Sequence, residues 1–145
     1  MRGKLVLLAA VALATVGVAR ADGFDIIETR QAGQDLLNGT FAGIKAVVVA
    51  KGDVKTLETP AKAMARWMKQ CPSMFPKGSE EGHNTKALAV IWSDPAGFEK
   101  AANDLAEAAT KLAELAKAGD ADGVTAQFKA VGEACGACHR TYRAR

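Results

Sequence analysis

Residues 134–143, which read ACGACHRTYR, place two cysteines three positions apart and a histidine directly after the second. They complete a segment in which apolar residues recur every three or four positions from Val124 to Tyr142. Cys135 and Cys138 follow the same period. This spacing predicts an amphipathic helix whose buried face carries both cysteines.

The helix before this one has clear start and stop signals. Asp94 is a candidate N-cap with Pro95 at the first helical position, and Gly119 is a candidate terminator. The next helix, the fourth, is then capped by Asp120 or Asp122. These signals predict two helices joined by a very short connection, as in antiparallel neighbours.

Two further helices are predicted upstream. The first covers Asp22 to about Ala50, where apolar residues repeat at helical spacing. Three glycines interrupt it, namely Gly33, Gly39 and Gly43, and such glycines are typical of places where a neighbour approaches the backbone closely.

The second helix has Thr59 as its predicted N-cap, followed by Pro60, and Pro72 ends it before a polar loop that reaches Thr85. Its methionines Met64 and Met68, like Met74 in the loop, are expected to fill the core. The chain is therefore predicted to be all-α, an antiparallel four-helix bundle with the C-x-x-C-H motif on its last helix.

The first 21 residues have the layout of a secretory signal peptide. Arg2 and Lys4 precede an uncharged stretch of 15 residues from Leu5 to Ala19, and Ala19-Arg20-Ala21 is an A-x-A cleavage signal. We expect cleavage after Ala21, export to the periplasm, and a mature domain covering 22–145. An uncleaved anchor is the alternative, although a bilayer span needs about 20 residues.

Composition excludes several classes of protein. The hydrophobic fraction of 49% and the charged fraction of 24% are typical of a folded globular chain. Loss of Arg2, Lys4 and Arg20 lowers Lys+Arg from 19 to 16, which equals Asp+Glu at 16. No excess of basic residues remains to favour a nucleic acid, and no second apolar run favours a membrane partner after cleavage.

C-x-x-C-H is the attachment sequence of c-type haem. Cys135 and Cys138 would form thioethers with the two vinyl groups, and His139 would be an axial ligand of the iron. A thioredoxin-like site needs a βαβ context, which is absent from the sequence pattern. A zinc site would need Cys71 or His83 as its fourth ligand, and a Cys135–Cys138 disulfide would leave His139 unexplained.

A haem motif on the last helix of a bundle resembles cytochrome c′ and its low-spin relatives, the class II cytochromes c. The resemblance spans the whole mature chain. It rests on four stretches in this order: TRQAG at 29–33, MFPKG at 74–78, AVIW at 89–92 and ACGACHRTYR at 134–143. It implies one covalently attached haem c per chain.

The resemblance also implies roles for residues of the first helix. Arg30 and Gln31 correspond to a pair that contacts the haem propionates, where a guanidinium suits a carboxylate. Gln34 corresponds to the position facing the distal side of the iron, where relatives carry an apolar residue or a methionine ligand. Alternatively, Gln34 points to solvent and Leu37 or Phe41 covers the haem.

Three classes of function are compatible with this sequence. The first is a carrier of single electrons that exchanges them with partner proteins not identifiable from the sequence. The second is a five-coordinate haem protein that binds nitric oxide or carbon monoxide. The third is an enzyme such as a peroxidase, which is disfavoured because no histidine lies near Arg30 or Gln34. A homodimer is expected because the first two helices carry surplus apolar surface and relatives pair through them.

Overall fold

The computed structural model describes residues 25–145, so the predicted signal peptide at 1–21 lies outside the described residues. These residues form five α-helices, which are α1 Ile26–Val49, α2 Glu58–Gln70, α3 Val90–Ser93, α4 Pro95–Ala118 and α5 Ala121–Tyr142. The four long helices form the predicted bundle, and α3 is an extra single turn before α4. The prediction of an all-α four-helix bundle is confirmed.

Aspartates begin three of the long helices. The side chain of Asp25 accepts hydrogen bonds from the backbone N–H groups of Ile27 and Glu28. Asp94 and Asp120 accept in the same way at the starts of α4 and α5. Each aspartate satisfies backbone donors that the first helical turn leaves free. The predicted caps of the last two long helices are therefore confirmed, with Asp120 rather than Asp122 as the cap of α5.

The predicted start of α2 is wrong by two residues. A 3₁₀ turn at Val54–Leu57 runs directly into the helix, so the cap position is Leu57 and no side chain caps it. Thr59 and Pro60 are instead the second and third helical residues. Pro60 is tolerated there because backbone N–H groups of the first turn have no helical acceptor.

Only one of the three glycines of α1 is needed for a close approach. A Cβ on Gly33 would lie inside the indole ring of Trp67, whereas a Cβ on Gly39 or Gly43 would meet nothing within 4 Å. The expectation of a close neighbour is therefore confirmed at Gly33 and wrong at the other two, which lie on the exposed side of α1.

The tightest packing is centred on α4. Its inward face alternates alanines with larger apolar side chains, and Leu112 is completely buried there beside Ala109 and Ala116. Small residues let α2 and α5 approach the helix closely, which suits a dense bundle core. Within residues 25–145, none of the helices has the length and apolar character required to cross a bilayer.

Candidate functional site

A cavity of about 650 Å³ opens between α1, α2, α4 and α5. Its walls are largely apolar, with polar side chains contributed by α1 and by the loop before α3. A volume of this size in an otherwise close-packed bundle is typical of a site for a sizeable ligand.

The motif residues Cys135, Cys138 and His139 all line this cavity. They share one face of α5 because they lie three and four positions apart along the helix. Burial raises the pKa of Cys135, and burial followed by the neighbouring Cys135 raises the pKa of Cys138 to about 11. His139 is an exposed residue whose partial burial, with a smaller effect of Arg143, lowers its pKa. Burial thus favours neutral thiols and a neutral imidazole, and the neutral ring is the form that binds metals.

Arg30 is buried rather than solvated, with 2% of its surface exposed. It donates to the hydroxyl and carbonyl oxygens of Ser79 at 2.8 and 2.7 Å, and to Met74 O and Thr85 Oγ1. Its guanidinium carbon lies 4.4 Å from the ring centroid of Phe75. Burial lowers the pKa of Arg30, although arginine stays charged in proteins. Arg30 therefore ties the loop after α2 to α1 at the polar wall of the cavity.

Gln31 lies beside Arg30 and also lines the cavity. Its amide nitrogen donates to the carbonyl oxygen of His83 at 3.0 Å. The ring of His83 lies between two carboxylates, with Nε2 2.7 Å from Asp25 and Nδ1 3.3 Å from Glu28. His83 therefore holds the loop against the start of α1, and it is not among the residues that line the cavity.

Gln34 lines the cavity one turn after Arg30. Its Nε2 donates to Sγ of Cys71 at 3.3 Å. Cys71 is 3% exposed and also lines the cavity, from the turn that follows α2. The Gln34 side chain is thus directed to a buried thiol and not to solvent.

Apolar side chains complete the wall beside Gln34. Leu37 and Phe41 follow on the same face of α1, and Phe41 stacks on Phe128 of α5 with 4.6 Å between ring centroids. Met64 and Met68 line the cavity from α2 while remaining buried, in agreement with their predicted place in the core.

Three further kinds of residue that were not predicted line the cavity. Asp35 and Asn38 of α1 share the helical spacing of Gln31 and Gln34, so periodicity alone could have found them. Phe75, in the loop after α2, lines the cavity while its ring lies against the guanidinium of Arg30. Arg143 lies four positions after His139, so helical spacing could have indicated it as well, and the chain at this point pairs with the loop before α3.

That pairing consists of two backbone hydrogen bonds. The N–H of Leu88 donates to Tyr142 O at 3.1 Å, and the N–H of Ala144 donates to Lys86 O at 2.8 Å. They hold the end of α5, directly after His139, against the middle of the chain.

Comparison with known proteins identifies the family. The cytochrome c′ family pattern matches residues 25–143. The cytochrome c′ of Rhodospirillum rubrum is 33% identical over 99% of both chains. Among solved structures, a cytochrome c′ with ligand-controlled dimer dissociation has a TM-score of 0.78 and 28% identity, covering 85% of this chain and 99% of the other.

A further solved structure is a nitric oxide complex of a cytochrome c prime variant from Alcaligenes xylosoxidans. Its TM-score is 0.74 at 29% identity, with coverage of 83% of this chain and 94% of the other. Sequence pattern, relatives and fold agree with the cavity and its C-x-x-C-H motif, and the chain therefore belongs to the cytochrome c′ family of c-type haem proteins.

Proposed function

We propose that this chain is a periplasmic carrier of single electrons, with one haem c held by thioethers to Cys135 and Cys138 and by His139 at the iron. One observation carries the proposal, namely that the complete C-x-x-C-H motif opens onto a cavity of about 650 Å³. The haem, when bound, supplies the one-electron chemistry. The protein supplies covalent attachment, an axial nitrogen and a mostly apolar enclosure, which tune the iron.

Propionate binding is proposed for Arg30 and Gln31, since both line the polar part of the cavity. Each of the two terminal nitrogens of Arg30 donates two hydrogen bonds to the loop, so all four of their N–H groups are already used. A propionate contact therefore has to use Nε or displace one of the loop oxygens. Even without direct contact, the buried guanidinium places a positive charge beside the cavity, which favours a carboxylate there.

Attachment is tested by Cys135→Ala combined with Cys138→Ala. No thioether can form in this variant, so we expect acid-acetone extraction to remove all haem from it and none from the parent protein. His139→Ala is the matched control, since both cysteines remain and covalent attachment is expected to persist while the axial ligand is lost. Haem that survives extraction of the double variant would refute the assignment.

Binding of a diatomic gas is the second candidate function. It is favoured by Gln34, which lines the cavity where an amide is a weak iron ligand but a competent hydrogen-bond donor. The Alcaligenes xylosoxidans structure is itself a nitric oxide complex. An open sixth position at the iron would allow both electron transfer and gas binding in the same protein.

Two substitutions of Gln34 test this candidate. Gln34→Met places a thioether on the same helical face, so we expect a six-coordinate low-spin spectrum and suppressed carbon monoxide binding. Gln34→Leu leaves the iron open and removes the donor, which is expected to raise the stretching frequency of bound carbon monoxide. If neither variant changes the spectrum or the affinity, Gln34 has no distal role.

We further propose that the protein is a homodimer and not an enzyme. Leu36 of α1 is 74% exposed on the side that carries Gly39 and Gly43, and Val49 is 72% exposed at the end of the helix. The two histidines of the chain are His83 and His139, so a peroxidase-like distal histidine would have to be His83, which does not line the cavity. Light scattering that gives the monomer mass over a wide concentration range would refute the dimer.

A further inference from the structure

Gln34 and Cys71 form a polar contact in the wall of the cavity. They come from different elements, α1 and the turn after α2, and their side chains meet at 3.3 Å. The hydrogen bond from Gln34 is the one recorded for the Cys71 thiol within residues 25–145.

Cys71 is suited to accept this hydrogen bond without becoming charged. Burial, with a smaller effect of Cys138, raises its pKa to about 12. The group is therefore a thiol at neutral pH, with sulfur lone pairs that accept and an S–H that donates weakly. A buried, neutral acceptor satisfies one N–H of the amide and leaves its second N–H and its carbonyl oxygen available.

The thiol competes with water for the amide. Gln34 is only half-buried, and the residues that follow it, Asp35 and Leu36, are exposed. With an apolar side chain at position 71, the Gln34 amide would have no hydrogen-bond acceptor in the cavity wall. It would then turn to water, because Gln34 is partly exposed.

We propose that Cys71 is a positioning residue, whose sulfur holds the Gln34 amide in one orientation in the cavity so that its remaining donor serves a diatomic ligand. The inference rests on the distal role of Gln34 given above and adds what sets the orientation of the amide. Cys71 itself binds neither the haem nor the gas in this arrangement.

The test is a double-mutant cycle on the haem-loaded protein with carbon monoxide as the probe. The variants are Cys71→Ala, Cys71→Ser, Gln34→Leu, and Cys71→Ala combined with Gln34→Leu. Cys71→Ala is expected to broaden the C–O stretching band, move it toward that of Gln34→Leu, and weaken affinity about two- to fivefold, the range of one modest hydrogen bond. Cys71→Ser keeps an acceptor and should retain the parent band.

A second readout needs no gas. The chain has three cysteines, and two of them are thioethers once haem is attached, so Cys71 contributes the one S–H band in the infrared spectrum. Gln34→Leu should shift this band. Gln127→Leu makes the same change on α5 at a side chain that does not line the cavity, where the amide donates to Ala108 O at 2.9 Å, and it should leave the band unchanged.

The outcomes separate this inference from the proposed function. Equal effects of Cys71→Ala with and without Gln34 would overturn the positioning role while leaving the distal role of Gln34 intact. A Cys71→Ser protein that behaves like Cys71→Ala would also overturn it. If Gln34→Leu alone leaves carbon monoxide binding unchanged, the distal role fails and the positioning role with it.

Discussion

Helices α1 and α4 are both 24 residues long, yet they are held in the bundle very differently. Eight residues of α4 are buried, all of them alanine, leucine or phenylalanine. Only four residues of α1 are buried, and they include Arg30 and Gly33. Helix α4 is packed mostly by the protein itself and contributes two residues to the cavity lining, whereas α1 contributes seven.

The difference shows where the chain depends on its cofactor. Apolar burial is the main source of stability in a domain of this size. Because α1 contributes most of the cavity lining, a group that fills the cavity would cover more of its side chains, among them the half-buried Leu37 and Phe41, than of α4. Such a group stabilises the folded state as a whole by binding to it.

The largest effect is expected from a substitution on the buried face of α4. Leu112→Ala removes a side chain with 0% exposure from the buried face of α4. We expect a loss of about 2–5 kcal/mol in the free energy of unfolding, from lost burial plus the new cavity. Urea denaturation followed by circular dichroism measures this loss. Glu107→Ala, at an exposed position of the same helix, is the control and should change stability by no more than about 0.5 kcal/mol.

An intermediate effect is expected where α1 meets α2. Gly33→Ala forces a methyl group into the space of the Trp67 ring, and we expect destabilisation by about 1–3 kcal/mol. Gly39→Ala is the matched substitution on the open side of the same helix, and it should stabilise by up to about 1 kcal/mol. Thermal melts of the two variants should shift in opposite directions. A shift in the same direction would show that the indole moves aside at little cost.

The smallest expected effect concerns pH at the start of α1. The backbone N–H of Glu28 lowers the pKa of Asp25 below its ordinary value of 3.8. The backbone N–H of Ile27 and the ring of His83 lower this pKa less strongly. A lowered folded-state pKa adds stability above pH 3.8, and this is lost as the pH falls through the folded-state pKa. Asp25→Asn keeps a cap that does not titrate. The melting temperature of the parent protein should therefore fall more steeply below pH 4 than that of Asp25→Asn, and parallel curves would contradict this prediction.

Local signals predicted the fold well where they act within one helix. The caps Asp94 and Asp120 and the terminator Gly119 are all found where the sequence places them. The prediction of Thr59 as the N-cap of α2 was wrong because a 3₁₀ turn, which has no distinct sequence periodicity, precedes the helix and begins it two residues earlier.

The candidate site was predictable in part for the same reason. C-x-x-C-H is contiguous, so its residues were identified from sequence alone. The bonds from Arg30 to Ser79 and from Gln34 to Cys71 join residues 49 and 37 positions apart. Pairings over such distances depend on how the loop after α2 folds back, which no local pattern encodes.

The backbone pairing of Leu88 with Tyr142 and of Ala144 with Lys86 has a consequence for the order in which the molecule is assembled. Synthesis proceeds from the N-terminus, so three walls of the cavity leave the ribosome before the helix that carries the cysteines. The two bonds join residues 54 and 58 positions apart, so the pairing needs the segment after the attachment motif as well as the much earlier loop. The attachment cysteines therefore arrive last, at a cavity whose other walls have already been synthesised.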